Sequence, residues 1–132
     1  MKNVEVLDGQ WGSDKITDLD LKKIYQNSRI TIIPLKESTQ PSGQSVALQS
    51  MSMGIPVIIS KTEGFWDKEN FFDNENILFI QKNNLEEWTE KIENLYNNEK
   101  LIKQVSEVSI ATIKKNFKLE HFNLRLLSYI GN

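Results

Sequence analysis

The chain has 132 residues, of which 39% are hydrophobic and 26% are charged, as in one ordinary globular domain. Its formal net charge of −2 provides no field that would attract a nucleic acid. The absence of cysteine and the presence of one histidine exclude disulfides and metal sites built from thiolates or several histidines. No apolar run approaches the roughly 20 residues that span a bilayer, and no signal-like segment follows the N-terminus. We therefore expect a cytoplasmic protein.

Two elements are predicted before residue 29. Val4 to Leu7 alternates apolar and acidic residues and stops at Asp8-Gly9, which is typical of a short strand followed by a turn. From Asp18 onwards the spacing becomes helical, with one face formed by Leu21, Ile24, Tyr25 and Ser28. Thr17 or Asp18 can cap the start of this helix.

The middle of the chain predicts three buried strands. Their runs are β-branched and almost continuously apolar, and they cover residues 29–35, 56–60 and 77–80. Pro34 lacks the amide that a ladder needs, so the pairing of the first run should end near it. Between the first two runs we expect a helix from about Gly43 to Met53, ended by Gly54.

The rest of the chain predicts three amphipathic helices. Their apolar faces are Leu85, Trp88, Ile92, Leu95 and Tyr96; then Leu101, Val105, Val108 and Ala111; then Phe122, Leu126, Tyr129 and Ile130. Helices that alternate with such strands indicate an α/β fold. We expect a Rossmann-like parallel sheet of about four strands with helices on both faces, in a single domain covering residues 1–132. Sheets of this kind bind ligands beyond the carboxyl ends of their strands.

One segment, residues 33–60, contains the candidate binding site. A helix that begins after Ser42 leaves the amides of Gly43, Gln44, Ser45 and Val46 without partners, and together with the helix dipole they suit a phosphate or diphosphate. A side chain at Gly43 would hold a phosphate away from the backbone, whereas the Ser42 and Ser45 hydroxyls can donate to it. The alternative is an ordinary helix cap that binds nothing.

The same segment resembles the donor-binding signature of group-1 retaining glycosyltransferases of the GT-B fold. The family's helix typically reads Glu-Ala-Met-Ala-x-Gly-x-Pro-Val, and this chain has Gln-Ser-Met-Ser-Met-Gly-Ile-Pro-Val from Gln49 to Val57. The turn from Thr62 to Asp67 is similar to the family's Gly-Gly-x-Pro-Glu, and the resemblance extends over nearly the whole chain. It implies a C-terminal half-domain that binds a nucleoside diphosphate sugar, with ribose at Gln49 and with Thr62 and Gly64 near the donor.

Several departures from the family pattern bear on this interpretation. Gln49 stands where the family has a glutamate that holds the ribose, so an amide replaces a charged acceptor. The family's other glutamate would fall at residues 40–42, where there is no carboxylate, and Glu37 is the only nearby substitute. The family's N-terminal domain and the first two strands of its donor half have no counterpart here. Lys15, Lys36 and Lys61 could replace the basic pair that those strands carry.

The resemblance implies transfer of a hexose from a nucleoside diphosphate sugar to a hydroxyl acceptor, in the synthesis of a polysaccharide or glycolipid. The domain would be inactive alone, would need an N-terminal domain or a partner chain, and would require no metal or other cofactor. As part of a full enzyme it would be cytoplasmic and peripheral to the inner membrane. Two alternatives remain open: a degenerate, non-catalytic domain that acts as an interaction partner, and a phosphate-binding domain of an unrelated enzyme.

Other residues allow two interpretations each. The aromatic group Phe65, Trp66, Phe71 and Phe72 forms either an acceptor-binding wall or part of the core, and we favour the core. Trp11 lies in the loop where the family often holds the nucleobase, so it could stack on a base. His121 is expected to have a structural rather than a catalytic role.

Overall fold

The structure, a computed structural model, describes Val4, Val6, Leu7 and residues 16–131. In chain order its elements are α1 (Asp18–Gln26), β1 (Thr31–Ile33), α2 (Gln44–Ser52), β2 (Val57–Ser60), β3 (Leu78–Ile80), α3 (Leu85–Tyr96), α4 (Glu99–Asn116) and α5 (Leu119–Ile130). A short 3-10 turn, Lys68–Asn70, lies between β2 and β3. The strands form one parallel sheet in the order β1-β2-β3, so the α/β class and the parallel sheet are confirmed.

The strand predicted at residues 4–7 is not found in the part of the chain that the structure describes. Val4, Val6 and Leu7 are outside any strand and are 56%, 80% and 49% exposed. The sheet accordingly has three strands among the described residues rather than about four. Alternation of apolar residues predicts which face a strand would bury, but a strand also needs a hydrogen-bonded neighbour, which alternation does not supply. The expected turn at Asp8-Gly9 lies outside the described residues.

Proline ends the first strand as expected. The ladder between β1 and β2 runs as far as the pair Ile33 and Ile59, and Pro34 follows. The next amide, that of Leu35, donates to the Ser60 hydroxyl at 2.9 Å instead of continuing the ladder. The chain therefore leaves the sheet at the carboxyl end of β1, close to the end of β2.

Helices cover both faces of the sheet. On one face, α2 contributes Ala47 and Met51 to a core with Ile33, Val57, Ile59 and Phe79. On the other face, Leu95 of α3 and Val105 of α4 pack against Ile58, Leu78 and Ile80. Because β2 and β3 are buried on both faces, their side chains are apolar with almost no alternation, as predicted.

The ends of the first two helices follow from local sequence. The Thr17 hydroxyl accepts from the Asp20 amide, and the Asp20 carboxylate accepts from the Thr17 amide, which forms a capping box at α1. At the C-terminus of α2, Gly54 has φ +72° and Ile55 N–H donates to the Ser50 carbonyl at 3.0 Å, as in a Schellman motif. Both boundaries are as predicted.

The three C-terminal helices form where predicted, but their buried faces differ from the prediction. In α4 the buried residues are Val105 and Ser109, whereas Val108 is 37% exposed. In α3, Leu85 and Tyr96 are exposed. α5 has no buried residue, and its predicted face is 44–84% exposed at Phe122, Leu126, Tyr129 and Ile130. Helical spacing identifies an apolar stripe, but only a packed neighbour buries it, and no described element covers the stripe of α5.

The aromatic segment after β2 belongs mainly to the core. Phe65 and Phe71 are each 5% exposed, and the Phe65 ring makes edge-to-face contacts with Phe71 and Phe79 at centroid distances of 5.4 and 4.9 Å. Trp66 is half-buried beside them, and Phe72 is 53% exposed. These contacts favour core packing over an acceptor-binding wall. None of the described helices is both long and apolar enough to cross a membrane.

Candidate functional site

The segments after β1 and β2 meet at the carboxyl edge of the sheet. The Gly64 amide donates to the Ser38 carbonyl at 2.8 Å, and the Glu63 amide donates to the Glu37 carboxylate at 2.8 Å. The start of α2 lies at the same edge, because a Cβ placed on Gly43 would lie 3.0 Å from Ile33 and 3.5 Å from Leu35. Parallel sheets bind ligands at this position, so the predicted segment is in the expected place.

The N-terminus of α2 is open. Gly43 is the N-cap and makes no side-chain cap, and the first helical bond runs from Ala47 N–H to the Gly43 carbonyl at 2.9 Å. Within the described part of the chain, the amides at residues 43–46 have no acceptor. Ser42 and Ser45 are exposed, Val46 is 41% exposed, and Gln44 is half-buried. We call the four amides of residues 43–46 the α2 mouth.

Gly43 is required for a different reason from the one predicted. Its φ of +76° is strained for residues other than glycine, and a Cβ would lie 3.0 Å from Ile33 Cγ2 and 3.3 Å from Ile59 Cδ1. A side chain would therefore enter the core rather than the space in front of the mouth. The prediction that it would hold a phosphate away from the backbone is wrong, since the glycine allows α2 to pack closely on the sheet.

Gln49 lies on the exposed face of α2, one helical turn after Ser45, so the two side chains are neighbours at i and i+4. The Tyr25 hydroxyl of α1 donates to Gln49 Oε1 at 3.3 Å. Beside this contact is a groove of about 200 Å³ between α1 and α2, lined by Asp18, Leu21, Lys22, Tyr25, Gln49 and Met53. Tyr25 was predicted only as a residue of the apolar face of α1. No local signal indicates its contact with a residue 24 positions later.

Thr62 and Gly64 lie in the loop after β2, but the structure does not show them open to the α2 mouth. Thr62 is 6% exposed, and its carbonyl accepts from the Phe65 amide. The Gly64 amide is already bonded to Ser38, and a Cβ on Gly64 would lie 2.5 Å from the Gln40 carbonyl oxygen. This favours the interpretation of Gly64 as a turn glycine. Their role as donor contacts stays a prediction.

Glu37, the candidate substitute for the family's missing glutamate, is bonded to the main chain. Its Oε1 accepts from the amides of Glu63 at 2.8 Å and Ser38 at 3.2 Å. The carboxylate therefore joins the loop after β1 to the loop after β2. This is a structural role for Oε1, whereas Oε2 makes no hydrogen bond within the described part of the chain.

A polar network that sequence analysis missed ties the ends of the three strands together. Asn83 Nδ2 donates to the Leu35 carbonyl at 3.0 Å, and Asn83 Oδ1 accepts from the Ser60 hydroxyl and from Trp88 Nε1, both at 3.0 Å. We call these four residues the Asn83 clasp. Asn83 has φ +52°, a conformation that asparagine tolerates better than most residues. The available signal was the polar pair Asn83-Asn84, which follows the end of β3 by two residues.

The remaining candidate residues contribute less. Lys36 and Lys61 are exposed, and Lys61 Nζ lies 5.1 Å from the centroid of the Phe79 ring. Lys15 and Trp11 lie outside the described residues. The His121 side chain accepts from the Lys118 amide at 3.2 Å at the start of α5, which fits the expected structural role. Among residues that the structure covers, no group of three or more His, Asp or Glu side chains could hold a metal ion.

Comparison with known proteins agrees with the fold and with the resemblance to group 1 glycosyltransferases. A family model described as "Glycosyl transferases group 1" matches residues 4–98. A glycosyltransferase from Rickettsia africae ESF-5 has a TM-score of 0.69 and 24% identity, over 88% of this chain and 31% of that chain. The C-terminal domain of a glycosyl transferase group 1 family protein (LpcC) from Francisella tularensis has a TM-score of 0.65 and 18% identity, over 85% of this chain and 53% of that one.

No curated protein matches the chain. The chain spans about a third of the Rickettsia protein and about half of the Francisella chain, so each of those extends beyond the matching region. The structural similarity, below 25% identity, supports the α/β fold of glycosyltransferase domains. Since the family model matches residues 4–98, which is most of this chain, the chain belongs to the group 1 glycosyl transferases.

Proposed function

We propose that this domain binds the nucleoside diphosphate part of a nucleotide sugar, as the donor half of a retaining glycosyltransferase that transfers a hexose to a hydroxyl acceptor. The observation that carries the proposal is the α2 mouth, whose amides at residues 43–46 have no acceptor among the described residues. A diphosphate placed there would accept several N–H bonds and would meet the positive end of the helix dipole. Membership in the family supplies the class of reaction.

The domain's contribution to the reaction would be electrostatic. When the glycosidic bond to the donor breaks, negative charge increases on the departing diphosphate. Amides that are already oriented toward that charge stabilise it without further reorganisation. This arrangement requires no metal ion. We assign the acceptor site and any general base to an N-terminal domain or to a partner chain, and we assign Glu37, whose Oε1 accepts from two main-chain amides, a structural role.

Gln49 would bind the ribose of the same ligand. It lies on the same face of α2 as Ser45, and its position is about 7.5 Å along the helix axis from Gln44, at 1.5 Å per residue. A diphosphate at the α2 mouth would therefore direct its nucleoside toward the groove between α1 and α2. The base and the sugar of the donor are left open by this geometry.

The substitution Ser45→Asp separates anion binding from folding. An aspartate in the first turn of α2 stabilises the helix through its dipole by about 0.3–1 kcal/mol. The same charge repels a diphosphate a few ångströms away, by about 1–3 kcal/mol for a partly exposed site, which raises the Kd about 5- to 150-fold. Ser45→Asn is the matched neutral control and should bind within about threefold of the unmodified chain.

The test is calorimetric titration of the full chain with UDP, GDP and ADP, together with thermal unfolding of each variant. The proposal requires binding of at least one diphosphate that weakens in Ser45→Asp while the melting temperature is kept or raised. Equal affinities in the aspartate and asparagine variants would show that the anion binds elsewhere.

The alternative function is a non-catalytic domain that pairs with another chain. Two observations favour it: the apolar stripe of α5 is exposed, and Glu37, the candidate substitute for the family's glutamate, is bonded through Oε1 to main-chain amides. Failure of the whole diphosphate panel to bind would leave this alternative in place. Binding of inorganic pyrophosphate alone, with no gain from a nucleoside, would instead indicate a phosphate-binding domain of another kind.

A further inference from the structure

We infer that Tyr25 is a positioning residue that orients the Gln49 carboxamide, so that Gln49 presents its N–H donors, rather than its carbonyl, to the ribose of the ligand. The inference rests on the proposed function, because it concerns the nucleoside end of the same site. It adds a specificity-determining residue from α1, an element that the binding motif on α2 does not include.

The geometry fixes which end of the amide faces the groove. Tyr25 is 8% exposed, and its hydroxyl donates to Gln49 Oε1 at 3.3 Å. The Gln49 side chain is otherwise exposed, and its Nε2 has no acceptor within the described part of the chain. Since the two ends of a carboxamide point apart, a carbonyl bonded to α1 leaves the amino group as the end that a ligand meets.

The protonation state of Tyr25 supports this polarity. Burial raises the pKa of the Tyr25 hydroxyl above its ordinary value, because a buried phenolate would lose its hydration. The phenol therefore remains protonated across the neutral pH range and keeps its donor. In the structure this hydroxyl donates to the Gln49 carbonyl, whereas a phenylalanine at this position would leave the carboxamide without a partner on α1.

The consequence is a reversal of hydrogen-bond polarity relative to the glutamate that the family usually has at this position. A glutamate can only accept, so the ribose hydroxyls must donate to it. Gln49 held by Tyr25 donates through its amino group, and the ribose oxygens accept through their lone pairs. A hydroxyl satisfies either arrangement, but the bond from a neutral amide lacks the added strength of a charged acceptor.

The experiment measures discrimination between UDP and 2′,3′-dideoxy-UDP by calorimetry on the full chain, as the ratio of the two Kd values. We expect a ratio of about 3–10 for the unmodified chain, the worth of about one neutral hydrogen bond. In Tyr25→Phe, which keeps the ring but removes the hydroxyl, the Gln49 carboxamide is no longer held beside the groove, so the ratio should fall to about 2 or less. The Kd for inorganic pyrophosphate, which has no ribose, should stay within about twofold.

Two further variants separate positioning from a general structural effect. In a Gln49→Ala background, Tyr25→Phe should leave the ratio unchanged, since there is no carboxamide to orient. In Gln49→Glu, one oxygen can accept from Tyr25 and the other from the ribose, so the ratio should rise about threefold or more. A purely structural role of Tyr25 would weaken UDP, dideoxy-UDP and pyrophosphate alike and would leave the ratio unchanged.

The outcomes distinguish this inference from the proposed function. Binding of UDP with the same ratio in Tyr25→Phe as in the unmodified chain overturns the inference alone. A ratio that falls equally in the Gln49→Ala background overturns it as well. Absence of any binding of UDP or another nucleoside diphosphate overturns the proposed function and the inference with it.

Discussion

Replacing Gly43 by alanine measures how far the packing of α2 depends on a glycine. At φ +76° an alanine costs about 1–2 kcal/mol relative to glycine. Its Cβ would lie 3.0 Å from Ile33 Cγ2 and 3.3 Å from Ile59 Cδ1, so these core side chains must shift, which adds about 1 kcal/mol. We therefore expect the free energy of unfolding to fall by about 2–3 kcal/mol and the melting temperature to fall by about 6–12 °C.

The assay is urea denaturation followed by tryptophan fluorescence, with thermal unfolding as a second measurement. Ser45→Ala, on the exposed face of the same turn, is the control and should change stability by no more than about 0.5 kcal/mol. Pyrophosphate affinity is then measured at a temperature where both variants are folded, and it should be nearly unaffected in Gly43→Ala. If Gly43→Ala keeps full stability but loses the anion, the packing argument is refuted, and close approach of the ligand is the reason for the glycine.

Three other perturbations test the contacts that support the site. Asn83→Ala removes three hydrogen bonds of the Asn83 clasp and places alanine at φ +52°. Chemical denaturation should therefore show that the free energy of unfolding falls by about 2–4 kcal/mol. Asn83→Gly, which removes the same bonds but tolerates the positive φ, should recover about 1 kcal/mol of this loss. Asn76→Ala removes the three hydrogen bonds that the buried Asn76 side chain makes with the Phe72 amide, the Asn70 carbonyl and the Thr112 hydroxyl. We expect a loss of about 2–4 kcal/mol by the same measurement, against less than about 1 kcal/mol for Thr89→Ala at an exposed position of α3. For Glu87, desolvation, which raises the pKa, is outweighed by hydrogen bonds from the amides of residues 81–83 and by Lys91, so its pKa lies below the ordinary value. The stabilisation that the Glu87 carboxylate provides is therefore present above the ordinary glutamate pKa, about 4.3, and is lost as the pH falls through the lower folded value. The difference in free energy of unfolding between the unmodified chain and Glu87→Gln should be constant near neutrality and should shrink below pH ~4.

Local signals account for the parts of the fold that were predicted correctly. Pro34 and Gly54 limit the elements beside them whatever the tertiary packing. Pro34 lacks an amide, so the ladder of β1 ends there, and Gly54 has a positive φ, so α2 ends before it. Continuous apolar runs predicted β2 and β3, because a strand that is buried on both faces has no solvent-facing side and so carries apolar residues without alternation. The start of α2 was predicted to within one residue, because the Ser42-Gly43 pair is typical of a helix start and Gly43, at positive φ, is the N-cap.

Features that depend on distant residues could not be predicted in this way. The contact between Tyr25 and Gln49 joins positions 24 apart, and the bond from Asn83 to Leu35 joins positions 48 apart. Periodicity predicted apolar faces for α3, α4 and α5 correctly as patterns, but burial depends on which element lies opposite. The role given to Gly43 was wrong for the same reason, because the direction of a Cβ is set by backbone angles and by the sheet beneath it.

The register of the sheet also constrains how the chain can fold. Thr31 pairs with Val57 and Ile58 pairs with Leu78, and both pairings are parallel, so neither can form as a hairpin. Each requires closure of an intervening segment before any ladder bond forms, which raises contact order and slows folding relative to a helical bundle of this length. A chain with this topology should refold without a fast hairpin phase, and its rate should be sensitive to changes in the segments that connect the strands.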